Sequence, residues 1–293
     1  MSSHPSTGTA VVSASVAMVS FQIGAAFAKQ LIPVLGPPGT TALRIGLSAL
    51  LLVAVQRPWR SWPTRAAWKW ILPYGLSLGA MNAIFYVALG RIPLGIAVAI
   101  EFTGPLGVAV LASRRRIDYL WVLLAVVGLG LLLPIRDGAA SLDPLGVACA
   151  LVAGVGWALY IVFGQKAGRA QGPSASTWGL IVAAVMVVPL GLFDAGARIV
   201  APSTLPFGIA VAIFSGALPY TLEMYALRGL STRVFGTLMS FEPAIAAVAG
   251  TVLLHEVLTV TQIVAVACIV AASVGAVLGE RPEVVVEQTD VLA

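Results

Sequence analysis

The chain of 293 residues is 59% hydrophobic and only 10% charged, with a mean hydropathy of +0.98. Soluble domains hold about 45–50% apolar and about 25% charged residues, so a globule in water is excluded and a lipid bilayer is the solvent that fits. The net charge of +5 does not point to nucleic acid. Its basic residues sit in short connectors between apolar runs and form no stripe with interleaved aromatics.

Residues 1–10 carry no Lys/Arg-rich start, and the apolar run from Val11 is too long for a signal h-region. They read as a cytoplasmic tail before a retained first span. A spanning helix takes about 20 apolar residues. Ten such stretches follow, at 11–32, 38–56, 70–90, 94–112, 119–135, 144–163, 174–192, 205–227, 233–254 and 260–278. Cys149 and Cys268 lie far apart inside two of them, which gives neither a disulfide framework nor a metal-site spacing. The acidic end, 279–293, has no helical stripe and reads as a cytoplasmic tail.

The connectors set an orientation. With a cytoplasmic N-terminus, the inner segments carry Arg57, Arg60, Arg65, Lys69, Arg114, Arg115, Arg116, Lys166, Arg169, Arg228, Arg233 and Arg281. The outer ones carry Arg91, Arg136 and Arg198. The positive-inside rule then places both termini in the cytoplasm.

A shift of 138 positions lays Pro105 on Pro243, and each proline closely follows a glutamate, Glu101 or Glu242. Ten spans divide into five plus five, over 11–138 and 139–278, and an odd number per half inverts the second repeat. Inverted repeats with interrupted helices at matching positions put a binding site near the midplane. In a helix Pro105 cannot donate to the carbonyl of Glu101, and a carbonyl freed in hydrocarbon needs a cavity, water or side chain. The alternative for each proline is a packed kink.

Glu101, Glu242, Glu223 and Arg44 lie inside predicted spans, with Lys29 close to the end of one. A charge at mid-span costs about 2.5–3.5 kcal/mol on insertion scales, so such residues face the bundle interior and mark function. The alternative is a static salt bridge, which suits Glu223 near Arg228 best. A carboxyl group among apolar helices favours its neutral form, so Glu101 or Glu242 is a candidate to carry protons. An unchanged pH dependence after Glu→Gln substitution would remove that expectation.

Other polar groups share helical faces. Ser15, Gln22 and Lys29 recur every seven residues, Gly75, Gly79, Asn82 and Tyr86 share one face, and Gly216, Tyr220 and Glu223 share another. Trp157 and Tyr160 are candidates for an amphipathic cavity wall, against the commoner roles of packing and interface belt. Uncharged hydrogen-bonding groups together with opposite charges suit a small zwitterion.

Gly75-Leu76-Ser77-Leu78-Gly79 matches the nucleophile-elbow pattern but lies within a hydrophobic helix, not at a strand-to-helix turn. His4 and His255 are the two histidines, and a general base is hard to supply from them. Metalloprotease, P-loop and dinucleotide fingerprints are absent from the sequence. The chain therefore reads as no enzyme, with no cofactor and no metal, drawing energy from an ion gradient or exchange, with an ATP-driven partner subunit as the open alternative.

Longer stretches carry a likeness. They include Ser20–Lys29, Pro38–Arg44, Ser77–Asn82, Ile92–Leu106 and Phe235–Ala244. With the proline-bearing fourth and ninth spans, they resemble the drug/metabolite transporter superfamily in its EamA branch, and more narrowly the threonine/homoserine exporter group. The resemblance runs from about residue 14 to 278 and leaves out the acidic tail. It implies an all-α integral membrane protein of ten transmembrane helices as two inverted five-helix repeats. It also implies L-threonine and L-homoserine efflux by proton antiport across a bacterial inner membrane. Alternatives are export of other metabolites, amino-acid analogues or drugs by the same fold, and a membrane receptor or assembly subunit without transport. The sequence is compatible with a homodimer and does not decide it.

Overall fold

Hydrocarbon offers no hydrogen bonds, so a chain this apolar satisfies its backbone within helices. The computed structural model describes residues 6–112, 117–132, 142–219, 222, 226, 235 and 238–279. Among the described residues there are helices and turns but no strand.

The first helix, α1 (Thr7–Gln56), opens where Ser6 accepts the backbone N–H of Thr9 at 3.3 Å. It joins the first two expected spans into one helical segment, broken at Gly36, whose φ of 71° and ψ of 166° suit glycine alone. Three prolines, Pro33, Pro37 and Pro38, flank that point. The two arms fold back on each other: the Arg44 guanidinium sits 5.2 Å from the Phe21 ring centroid, whereas a straight helix would separate residues 21 and 44 by about 35 Å.

After α2 (Arg65–Leu89), capped by the Thr64 hydroxyl, come α3 (Leu94–Glu101) and α4 (Thr103–Ala112), parted by a turn at Phe102. Next are α5 (Asp118–Leu132), α6 (Pro144–Gln171) and α7 (Ala175–Ala195). Asp143 caps α6, accepting from Leu145 N–H at 2.8 Å, and pairs with Arg91 at 2.9 Å. The hydrogen bond from Arg91, and then that from Leu145, hold its carboxyl below the ordinary aspartate value. The short α8 (Leu205–Ala212) runs into a π-helical turn over Ile213–Ala217. Last come α9 (Glu242–Leu254) and α10 (Val260–Gly279).

Four helical stretches among the described residues are long and apolar enough to cross a membrane: α1, α2, α6 and Ala175–Val200. Shorter apolar helices accompany them, including Leu94–Val108 and Glu242–Leu254. The outward face is itself apolar, with Phe193 95% and Leu111 88% exposed, as acyl chains require and water does not tolerate.

α1 packs on α7 and α8, α2 on α6 and α7, α3 on α9, and α5 on α10. Without a hydrophobic drive between helices in lipid, close approach rests on small residues. The tightest case is Gly104 against Gly154, where a Cβ on Gly104 would stand 1.9 Å from the Gly154 carbonyl oxygen. That contact docks α4 on α6 beside the Phe102 turn.

Candidate functional site

A cavity of about 420 Å³ lies where α1, α2, α3, α4, α6, α9 and the π-turn converge. Its polar lining is Gln22, Arg44, Asn82, Tyr86, Glu101, Tyr160, Ser215 and Glu242, and Phe21, Phe85, Phe102 and Trp157 supply aromatic wall.

Local structure explains how the two acids reach it. α3 stops at Glu101, the chain turns at Phe102, and α4 resumes with Pro105 in its first turn. Pro105 has no N–H for the Glu101 carbonyl, and that oxygen faces the bare Cα of Gly154, where a Cβ would lie 2.7 Å away. The Thr103 hydroxyl meanwhile donates to the Ile100 carbonyl at 2.6 Å. The second interruption falls at Ser240 and Phe241, after which α9 opens with Glu242 and Pro243. Proline suits that first turn, where its missing N–H goes unneeded, and a carboxylate there faces the positive end of the helix.

Glu101 and Glu242 are 6% and 8% exposed, and Arg44 is 5%. The Gln22 amide donates to Glu242 Oε1 at 3.0 Å. Arg44 donates through Nε to the Ser215 hydroxyl at 2.8 Å, through Nη2 to the Ser215 carbonyl at 3.1 Å, and through Nη1 to Asn82 Oδ1. Phe21 and Tyr86 lie over the same guanidinium, with centroids at 5.2 and 5.8 Å. Glu101 accepts no side-chain hydrogen bond among the described residues and presents its carboxyl group to the cavity. A guanidinium has five N–H groups; among the described residues three of those on Arg44 donate, which leaves two for a further acceptor.

Gln22, Arg44, Asn82, Tyr86, Glu101, Trp157, Tyr160 and Glu242 thus meet on one cavity, and Pro105 joins its wall. Pro243 supports α9 without lining it. Lys29 goes elsewhere: its ammonium contacts Glu256 and the Ile92 carbonyl, both at 2.6 Å, and Glu256 also accepts Leu94 N–H at 2.8 Å. Tyr220 and Glu223 lie outside the described residues. Sequence reasoning missed Ser215, a lone hydroxyl in an apolar run, and Glu256, which reads as an ordinary connector charge. A larger groove of about 1250 Å³ runs along α9 and α10. Apart from Glu256 and Thr251 its lining is apolar, which suits acyl chains better than a charged solute.

Residues 144–278 match the EamA-like transporter family. The threonine/homoserine exporter RhtA of Salmonella typhimurium is 51% identical over 276 residues, covering 94% of each chain. The chain belongs to the EamA-like transporter family. RhtA of Escherichia coli K12 is 50% identical over the same length. An uncharacterized inner membrane transporter of that organism, YedA, is 26% identical over 214 residues, which is 70% of this chain and 69% of the relative. A solved crystal structure aligns with 93% of this chain and 96% of its own at a TM-score of 0.59 and 19% identity, a likeness of fold alone. The curated relatives are transporters, and the cavity of this EamA-like chain is built of charged groups and aromatics, with no nucleophile–base pair among the described residues.

Proposed function

We propose that the protein exports small amino acids, foremost L-threonine and L-homoserine, and binds them as zwitterions in the 420 Å³ cavity. The observation that carries this is one buried guanidinium and two buried carboxyl groups lining the same cavity. Arg44 offers its two remaining N–H groups to the substrate carboxylate, the planar fork that such a group fits best. Glu101, without a hydrogen-bond partner among the described residues, takes the ammonium, with Glu242 beside it. Phe102 and Trp157 stand edge to face with centroids 5.4 Å apart and limit the side chain that fits.

Charge balance joins this site to protons. The lining carries two carboxyl groups against one guanidinium, so a cation is favoured there, and an ammonium and a proton compete for the same oxygens. Antiport follows when the site, open to the other face, exchanges one for the other. Relatedness to the two RhtA exporters supports the cargo.

Two five-helix repeats, 11–138 and 139–278, organise the chain in this reading, with ten spans and both termini in the cytoplasm of a bacterial inner-membrane protein. Supporting it, the helix interruptions at Phe102 and Ser240 are 138 positions apart (240 − 102), the same offset that relates the prolines. The packing of α3 on α9 and of α5 on α10 fits a two-fold relation between the halves.

Efflux of labelled threonine from loaded proteoliposomes, with and without an imposed pH gradient, tests the proposal. Gradient-stimulated efflux is expected. Silence toward threonine, homoserine and serine alike would sink the cargo and leave the fold.

A further inference from the structure

Arg44 is aimed by a single irregular turn. Over Ile213–Ala217 the chain winds as a π-helix, a rare form that frequently occurs at functional sites. The N–H of Leu218 reaches back to the Ile213 carbonyl, so the Phe214 carbonyl loses the partner that regular α winding would give it. Ser20 fills that place, its hydroxyl donating at 2.8 Å. One residue on, the α-helical partner of the Ser215 carbonyl would be residue 219, which is a proline and has no N–H. The Arg44 Nη2 donates there instead, at 3.1 Å.

The serine hydroxyl completes a fork. Its proton goes to the Val211 carbonyl at 2.7 Å, which fixes the hydroxyl direction and leaves the oxygen to accept Arg44 Nε at 2.8 Å. Two acceptors on one residue therefore meet two N–H groups on one edge of the guanidinium. The third contact, Asn82, is itself held by donating to the Leu78 carbonyl at 2.8 Å. Room for Ser215 against α1 exists because position 24 is glycine: a Cβ there would stand 2.6 Å from Ser215 Cβ.

We infer that Ser215 is a positioning residue for carboxylate recognition, fixing the plane and direction in which Arg44 presents its remaining N–H groups to the substrate. This rests on the reading that Arg44 binds the substrate carboxylate. Two N–H groups on a freely turning guanidinium would serve any acceptor, whereas two held in a fixed direction favour a planar, charged carboxylate over a neutral ester.

The test is competition for labelled threonine counterflow in proteoliposomes, comparing unlabelled threonine with threonine methyl ester. The free acid is expected to compete better in the natural protein. Ser215→Ala is expected to lower the acid-to-ester ratio about tenfold, on the scale of one hydrogen bond to a charged group, while inhibition by the ester stays unchanged. Loss of fold or insertion would weaken both competitors together, so an unchanged ratio overturns the role of Ser215. If Ser215→Ala fails to insert, Ser215→Cys keeps the volume, weakens the acceptor and is read by the same ratio. Arg44→Gln is the control for the underlying reading. A ratio that survives Arg44→Gln removes carboxylate binding by Arg44, and the Ser215 inference with it. A ratio lost in Arg44→Gln but kept in Ser215→Ala removes the Ser215 inference alone.

Discussion

Gln22 and Glu242 lie 220 positions apart, and the amide of the first donates to the carboxylate of the second at 3.0 Å. The bond joins the first arm of α1 to the start of α9 at the cavity that Arg44 also lines. It holds one of the two acids at the wall and leaves Glu101 as the acid with an open face.

That difference predicts unequal roles. Glu101→Gln is expected to abolish the response of threonine efflux to an imposed pH gradient, with gradient-driven flux down at least about tenfold, as befits one lost charge-assisted contact. Gln22→Leu removes the amide from Glu242 and is expected to weaken threonine affinity a few-fold while the pH response persists. Proteoliposome efflux at several external pH values reads both. A pH response undiminished in Glu101→Gln would take proton coupling away from that residue.

Lys29 is expected to serve structure and not substrate. Its ammonium and Glu256 are 20% and 13% exposed, and with Leu94 N–H and the Ile92 carbonyl they tie α1, the start of α3 and the α9–α10 connection together. Removing one partner of a buried pair leaves an uncompensated charge and costs about 3 kcal/mol, the low end of the range for fully buried pairs. Lys29→Met should therefore lower the thermal midpoint of the purified protein, and the protein that remains folded should bind threonine as tightly as before. A large loss of affinity without loss of stability would return Lys29 to the site.

Much of this is legible in the sequence, and what is not has physical causes. Mid-span acids, the proline pair and the faces carrying Gln22, Asn82 and Tyr86 are readable because charge and polarity are expensive in hydrocarbon. Lys29 shares its helical line with Gln22, but periodicity gives a face and not a depth. Seven residues carry it about 10 Å along the axis, away from the cavity wall. Ser215 is invisible because its role depends on a π-turn that hydropathy does not register. The one local signal is Pro219, four residues on, which denies the serine carbonyl its usual partner. The hairpin at Gly36 reads as two spans in the sequence, and two arms are what the fold contains, although the helical segment is interrupted at that single residue.

Gly104 has no room for a side chain. Its nearest neighbour is the Gly154 carbonyl oxygen, 1.9 Å from where a Cβ would be, and that atom belongs to backbone that cannot swing aside. Gly104→Ala is expected to push α4 from α6, costing about 1–3 kcal/mol as overpacking does and widening the cavity beside Phe102. Reduced thermal stability together with reduced threonine affinity is the expected pair of results, and a fully stable, fully active variant would contradict the close approach.

Trp157 is expected to set the size of cargo. Its ring stands edge-on to Phe102, and both line the cavity with Glu101 between α3 and α6. Replacing it with alanine removes a wall without touching the charges proposed to hold the zwitterion. Discrimination by pocket size is worth about 10–200-fold per methylene-scale difference, so Trp157→Ala is expected to raise the potency of leucine as a competitor about tenfold relative to threonine. The free acid should still outcompete the methyl ester, because Arg44 and Ser215 are untouched. Competition curves for threonine, leucine and threonine methyl ester on the same vesicles separate the two effects. If leucine gains nothing, the side chain of the substrate does not point toward α6.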